Sequence, residues 1–146
     1  MHGMIGCFCV FVVVLCVDVL TKAWAARFLP LAGETAPSFF SLSLHHNYGL
    51  SFSLFSDHPT IALLISAAAF CCLAAACAKL RLHRRAPYTC ALLCAGAIGN
   101  LLDRVFRGYV VDWIYFVKYI NIADISLCLG CLLAFKSYYH HTTGRR

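Results

Sequence analysis

Four long apolar runs set the pattern of this chain, and its polar positions fall between them or at their ends. Residues 5–17 carry no polar side chain, and the run continues past Asp18 and Lys22 to about residue 26. Residues 61–78 hold a single Ser, residues 88–106 are apolar and rich in Ala and Gly, and residues 119–138 are again largely apolar. About 20 such residues cross a bilayer as a helix. The pattern therefore predicts transmembrane helices near 5–26, 61–78, 88–106 and 119–138.

Between the first two runs the period changes from helical to alternating. Phe40-Ser-Leu-Ser-Leu44 and Leu50-Ser-Phe-Ser-Leu54 read apolar then polar, as strands do. The turn formers Asn47 and Gly49 lie between them. This predicts an amphipathic β-hairpin over about residues 39–55. Phe40, Leu42, Leu44, Leu50, Phe52 and Leu54 would face lipid, and serines would line the other face. The expected fold class is an all-α membrane protein: four transmembrane helices with an extracytoplasmic amphipathic β-hairpin or small sheet. Residues 1–146 are expected to form a single integral membrane domain.

Composition agrees with this class, since 62% of residues are hydrophobic and only 12% charged. The net charge of +6 is no nucleic-acid footprint, because the basic residues sit between hydrophobic segments and at the C-terminus. Lys79, Arg81, Arg84 and Arg85 mark one short loop as cytoplasmic, and Lys136, Arg145 and Arg146 fall on the same side. Both termini are then cytoplasmic and the hairpin lies outside. Ala23-Trp-Ala25 raises the alternative of a cleaved signal peptide. No Lys or Arg precedes the first run, however, and Asp18 interrupts it, so a retained helix is expected.

All ten cysteines lie inside apolar runs. Cys128 and Cys131 have C-x-x-C spacing, but within a helix they read as small buried hydrophobes rather than a redox pair. A thiol oxidoreductase would need cysteines in the outer loops. His45 and His46 are adjacent on a predicted strand, so they point to opposite faces, and no third ligand accompanies them. No metal site is expected.

The six acids separate by the cations near them. Asp18 has Lys22 at i+4; Asp103 has Arg104 adjacent and Arg107 at i+4. Glu34 and Asp57 lie in loops. Asp112 and Asp124 have no basic partner within one turn, and an aromatic segment with Trp113, Tyr115, Phe116 and Tyr119 joins them. Two carboxylates brought close share one proton. That division serves a hydrolase, with one member taking a proton from water and the other hydrogen-bonding the scissile carbonyl. Asn100 and Asn121 are available to orient them. Two acids simply solvated at a helix boundary remain the alternative. A transport subunit, which would space its acids through the membrane, fits this clustering poorly.

Five blocks resemble the bacterial lipoprotein signal peptidases (signal peptidase II), four-helix membrane aspartic proteases. They are Asp18-Val-Leu-Thr-Lys22, Asn47-Tyr-Gly-Leu-Ser-Phe52, Gly99-Asn-Leu-Leu-Asp-Arg104, Val110-Val-Asp-Trp113 and Asn121-Ile-Ala-Asp124. In order and spacing they cover essentially the whole chain. The resemblance implies Asp112 and Asp124 as catalytic residues. Asn47, Gly49, Asn100, Arg104 and Asn121 become supporting or substrate-binding residues, and Asp18, Lys22 and Asp103 structural polar groups. Ala95-Gly96, Trp113 and Ile120 depart from the usual family pattern without removing a catalytic group. The implied substrates are diacylglyceryl-modified prolipoproteins, cut just before the lipidated Cys. No metal or organic cofactor and no nucleic-acid partner is implied. The implied setting is the bacterial inner membrane, with the active site at its outer face and membrane lipid as the surroundings. A monomer is the working expectation for the assembly.

Overall fold

The computed structural model describes residues 2–33, 39–50, 54–82 and 86–143. In chain order it has α1 (His2–Phe28), β1 (Ser41–Asn47), α2 (Pro59–Lys79), α3 (Pro87–Arg107), β2 (Val110–Tyr115), β3 (Tyr119–Ile120) and α4 (Ile122–Thr143). Among the described residues all four helices are long and apolar enough to cross a membrane. Their large apolar side chains point outward: Phe8, Leu20, Leu64, Phe106, Leu132 and Phe135 are all exposed. Such a surface is stable against lipid and not against water. The expected class of four spanning helices with a small sheet is the one observed.

α3 is the central helix and packs on α1, α2 and α4. Small residues make this possible. A Cβ on Gly96 would meet the carbonyl oxygen of Ala123 at 2.5 Å, and one on Gly130 would meet the Leu93 side chain at 2.7 Å. α3 and α4 therefore touch backbone to backbone, as close helix pairs in membranes do. Proline opens both α2 and α3 at a position where its missing N–H is no loss. Gly108, in the left-handed region at φ 80°, ends α3 and turns the chain into β2.

The sheet is antiparallel, in the order β1-β2-β3. Its partners differ from those in the expected 39–55 hairpin. β1 pairs with β2, from the stretch read as a loop between the third and fourth helices. Residues 51–53 of the expected second strand, Phe52 among them, lie outside the described residues, as does Glu34. A register shift between Leu42 and His45 breaks the alternation of β1. Phe40 and Leu42 stay exposed, while Leu44 turns inward beside Ala25 and Val111. Leu44 is thus a core residue and not part of a lipid-facing stripe. Cys128 and Cys131 are corrected in the opposite sense, for both are exposed on the outside of α4.

The fourth helix starts at Ile122 rather than near Tyr119, because Tyr119 and Ile120 pair with Tyr115 and Ile114 as β3. The sheet, the start of α2 and α4 and the ends of α1 and α3 gather at one end of the bundle. The α2–α3 connection, the start of α1 and the end of α4 lie at the other.

Candidate active site

Asn121 and Asp124 form a reciprocal cap at the start of α4. The Asn121 side chain accepts the Asp124 N–H at 2.9 Å, and the Asp124 carboxylate accepts the Asn121 N–H at 3.3 Å. This is the capping-box arrangement built with Asn and Asp. It places Asp124 in the first helical turn, where exposed N–H groups favour negative charge. The next free N–H, that of Ala123, goes to Asp18 of α1 at 2.8 Å. Asp18 reaches it because residue 99 is glycine; a Cβ there would lie 2.6 Å from the Asp18 carboxylate.

Asp112 arrives from the sheet. It sits opposite His45 in the β1–β2 ladder, so both side chains share the cavity face. Asn121 donates to one carboxylate oxygen at 2.6 Å and Asn47 to the other at 3.0 Å. Asn100 donates to Asp124 at 2.8 Å, and its own oxygen accepts from Asn121 at 3.1 Å. Two acids twelve residues apart in sequence are therefore tied to one pair of amides.

Asp112 is 1% exposed. Burial first, and then the charge of Asp124, push its carboxyl up to about 7; the amides of Asn47 and Asn121 oppose this. It is a carboxyl poised to hold a proton near neutral pH, which is the property expected of a catalytic acid.

A buried ionic cluster backs the pair. Lys22, 1% exposed, lies 2.7 Å from Asp18 and 3.1 Å from Asp103, and donates to Asn100 at 3.0 Å. Asp103 also accepts the Val111 N–H at 3.1 Å and lies 3.6 Å from Arg107. Two carboxylates and two cations thus balance, and the cluster fixes α1, α3 and β2 relative to one another. The expected Asp18–Lys22 pair is present. Arg104 behaves differently from the expectation: it turns away from Asp103, into the cavity, and donates to the Gly49 carbonyl at 2.7 Å. Gly49 donates in turn to the Asn47 side-chain oxygen at 3.1 Å. Arg104 thereby orients Asn47, and through it Asp112.

The acids open onto a cavity of about 700 Å³. Its polar end holds Asn47, Asn100, Arg104, Asp112 and Asp124, and its apolar wall includes Leu50, Leu54, Ile65, Phe70, Leu73 and Leu127. Leu50 and Leu54 line this cavity, where a lipid-facing sheet surface was expected. The α2 wall carried no sequence signal, being indistinguishable from any other spanning helix. His45 was also missed as a cavity residue. It stacks flat on Tyr119 at 4.7 Å, while His46 packs on Tyr109 on the other face, so the two rings do diverge. Burial and the neighbouring His46 lower the basicity of His45.

The profile described as signal peptidase (SPase) II matches residues 10–139. The chain belongs to the signal peptidase II family. It is 36% identical over 137 residues to the lipoprotein signal peptidase of Teredinibacter turnerae, covering 85% of this chain and 81% of that one. It is 37% identical over 138 residues to that of Cronobacter sakazakii, covering 84% and 81%. A bacterial membrane enzyme solved in meso at 2.3 Å resolution superposes with a TM-score of 0.78 at 26% identity, covering 97% of this chain and 92% of that one. A second such structure, at 1.9 Å, gives 0.70 at 27% identity, covering 91% and 92%. This signal peptidase II homologue is accordingly a peptidase and a multi-pass protein of the bacterial inner membrane.

Proposed function

We propose that this protein is an aspartic endopeptidase that removes signal peptides from diacylglyceryl-modified prolipoproteins, cutting just before the lipidated Cys. One observation carries the reading: Asp112 and Asp124 converge on Asn121 at the polar end of a cavity whose α2 side is mainly apolar.

The geometry supports the following chemistry. Asp112 holds the proton and donates it to the scissile carbonyl oxygen as the tetrahedral centre forms. Asp124 accepts a proton from the attacking water, whose oxygen bonds to the carbonyl carbon. The C–N bond then breaks as Asp124 returns that proton to the leaving amine, and the carbonyl re-forms as its hydroxyl proton goes back to Asp112. Asn100 and Asn121 hold the two carboxyls at fixed separation, so the geometry is set before substrate arrives. Asn47, Gly49 and Arg104 position Asp112 from the sheet side.

The signal peptide is apolar and suits the wall built by α2, Leu50 and Leu54. Trp24 packs on Trp113 at 5.9 Å, and Phe39 on Phe116 at 4.7 Å, both at the sheet end. Tryptophan, apolar in body with one polar N–H, favours the headgroup level of a bilayer. The scissile bond then meets the aspartates where lipid gives way to water, on the outer face, with both termini and the basic α2–α3 connection in the cytoplasm. A diacylglyceryl anchor holds the peptide at that depth, and positioning supplies much of the barrier reduction.

The test uses matched lipidated and unlipidated precursors in one detergent, with the products identified by mass. The lipidated form should release its signal peptide with the modified Cys as the new N-terminus, and the unlipidated form should be cut poorly. Equal rates would leave a general membrane protease as the description.

A further inference from the structure

The ten cysteines divide by environment. Cys9, Cys16, Cys71, Cys72, Cys128 and Cys131 are exposed on the outside of the bundle, where a thiol is one more small apolar group. The remaining four, Cys7, Cys77, Cys90 and Cys94, are turned inward and gather in one place. Cys90 and Cys94 are one turn apart on α3, and Cys77 comes from the last turns of α2. The Sγ atoms of these three all lie within 4.8 Å of one another. Cys77 hydrogen-bonds with Cys90 and with Cys94. Cys7 of α1 approaches Cys90 and Cys94 and donates to the Pro87 carbonyl at 3.1 Å. The cluster sits at the end of the bundle away from the aspartates.

We propose that Cys77, Cys90 and Cys94 form a binding site for a soft d10 cation, Cu(I) or Zn(II). Thiolate sites select such ions. Metal–sulfur bonds of about 2.3 Å place the sulfurs of a three- or four-coordinate site roughly 4 Å apart. The observed triangle closes to that size by side-chain shifts of under about an ångström, small enough for rotamer adjustment. Each thiol that ligates releases its proton, so loading strengthens as pH rises. A bound ion bridges α2 to α3. This role is independent of the peptidase reading.

The experiment titrates the purified full chain, in detergent under reducing conditions, with Cu(I) and with Zn(II) in separate arms against a chromogenic chelator. Sulfur-to-copper charge-transfer absorption reports Cu(I) directly, and circular dichroism confirms helix content in every variant. One equivalent of one of these ions should bind, and more tightly at higher pH. A variant with all six outward cysteines changed to Ala should bind equally well. Cys94→Ala and Cys77→Ala should bind at least about tenfold more weakly. If Cys77→Ala loses helix content, Cys90→Ser gives the same comparison. Absence of one-equivalent binding of either ion, or equal affinity in wild type and folded inner-cysteine variants, overturns the proposal.

Discussion

At Asp112, burial and the neighbouring Asp124 outweigh two amide donors, and the carboxyl titrates near 7. The sign of the resulting stability effect follows from linkage. Its folded pKa lies above the ordinary carboxylate value of 3.8, so between about 4 and 7 the folded protein holds a proton that the unfolded chain has released. Stability from this group is complete below that window and is lost as pH rises through it. Asp112→Asn stays neutral throughout and should gain on wild type between pH 4 and 8, by on the order of 4 kcal/mol. Unfolding in detergent at several pH values measures this, and parallel profiles would contradict it. Wild-type cleavage should fall as pH rises past about 7, when the proton on Asp112 is lost. Lys22 is the opposite kind of residue. Lys22→Met leaves Asp18 and Asp103 buried beside one cation fewer, which costs about 3–5 kcal/mol. Folded yield should drop even where the aspartate pair is intact.

The helix ends and the strand register decide which side chains meet. Asn121→Ala removes the cap of α4, about 1 kcal/mol of stability, and also the amide that links Asp112 to Asn100. Turnover should therefore fall much further than stability; losses in proportion would reduce Asn121 to a cap. Gly99→Ala drives a methyl into the Asp18 carboxylate and should cost about 1–3 kcal/mol. The four spanning helices were legible because long apolar runs have few alternatives in water. The start of α4 was misplaced because the apolar pattern runs straight through Tyr119 and Ile120; the Asn-x-x-Asp cap was the signal that would have corrected it. Leu44 was misread because a bulge shifts the phase of β1, and nothing in Phe40-Ser-Leu-Ser-Leu44 announces a bulge. The partnership of β1 with β2 was hidden for a further reason. Such pairing spans more than sixty residues, and the local alternation at 50–54 offered a nearer partner.

At the scale of the whole molecule, an ionic cluster joins three elements behind the site, and a cavity that is mainly apolar along α2 lies in front of it. Sorting acids by local cations singled out Asp112 and Asp124, which the fold brings together at Asn121, yet it gave Arg104 to Asp103. In the folded chain Lys22 serves Asp103 from another helix, which frees Arg104 for the Gly49 carbonyl. Long-range pairing of that kind leaves no trace in spacing. Reporters fused at Arg85 and at the C-terminus should read cytoplasmic, and one near Ala32 external; the reverse would put the aspartates on the wrong side for secreted precursors. The most direct test of the central claim is signal-peptide release from a lipidated precursor by Asp112→Asn and Asp124→Asn proteins of verified helix content. Each should lose about 10²–10⁴-fold or more in rate, with the precursor still bound. Turnover near the wild-type rate in either variant would contradict an aspartate pair as the catalytic centre.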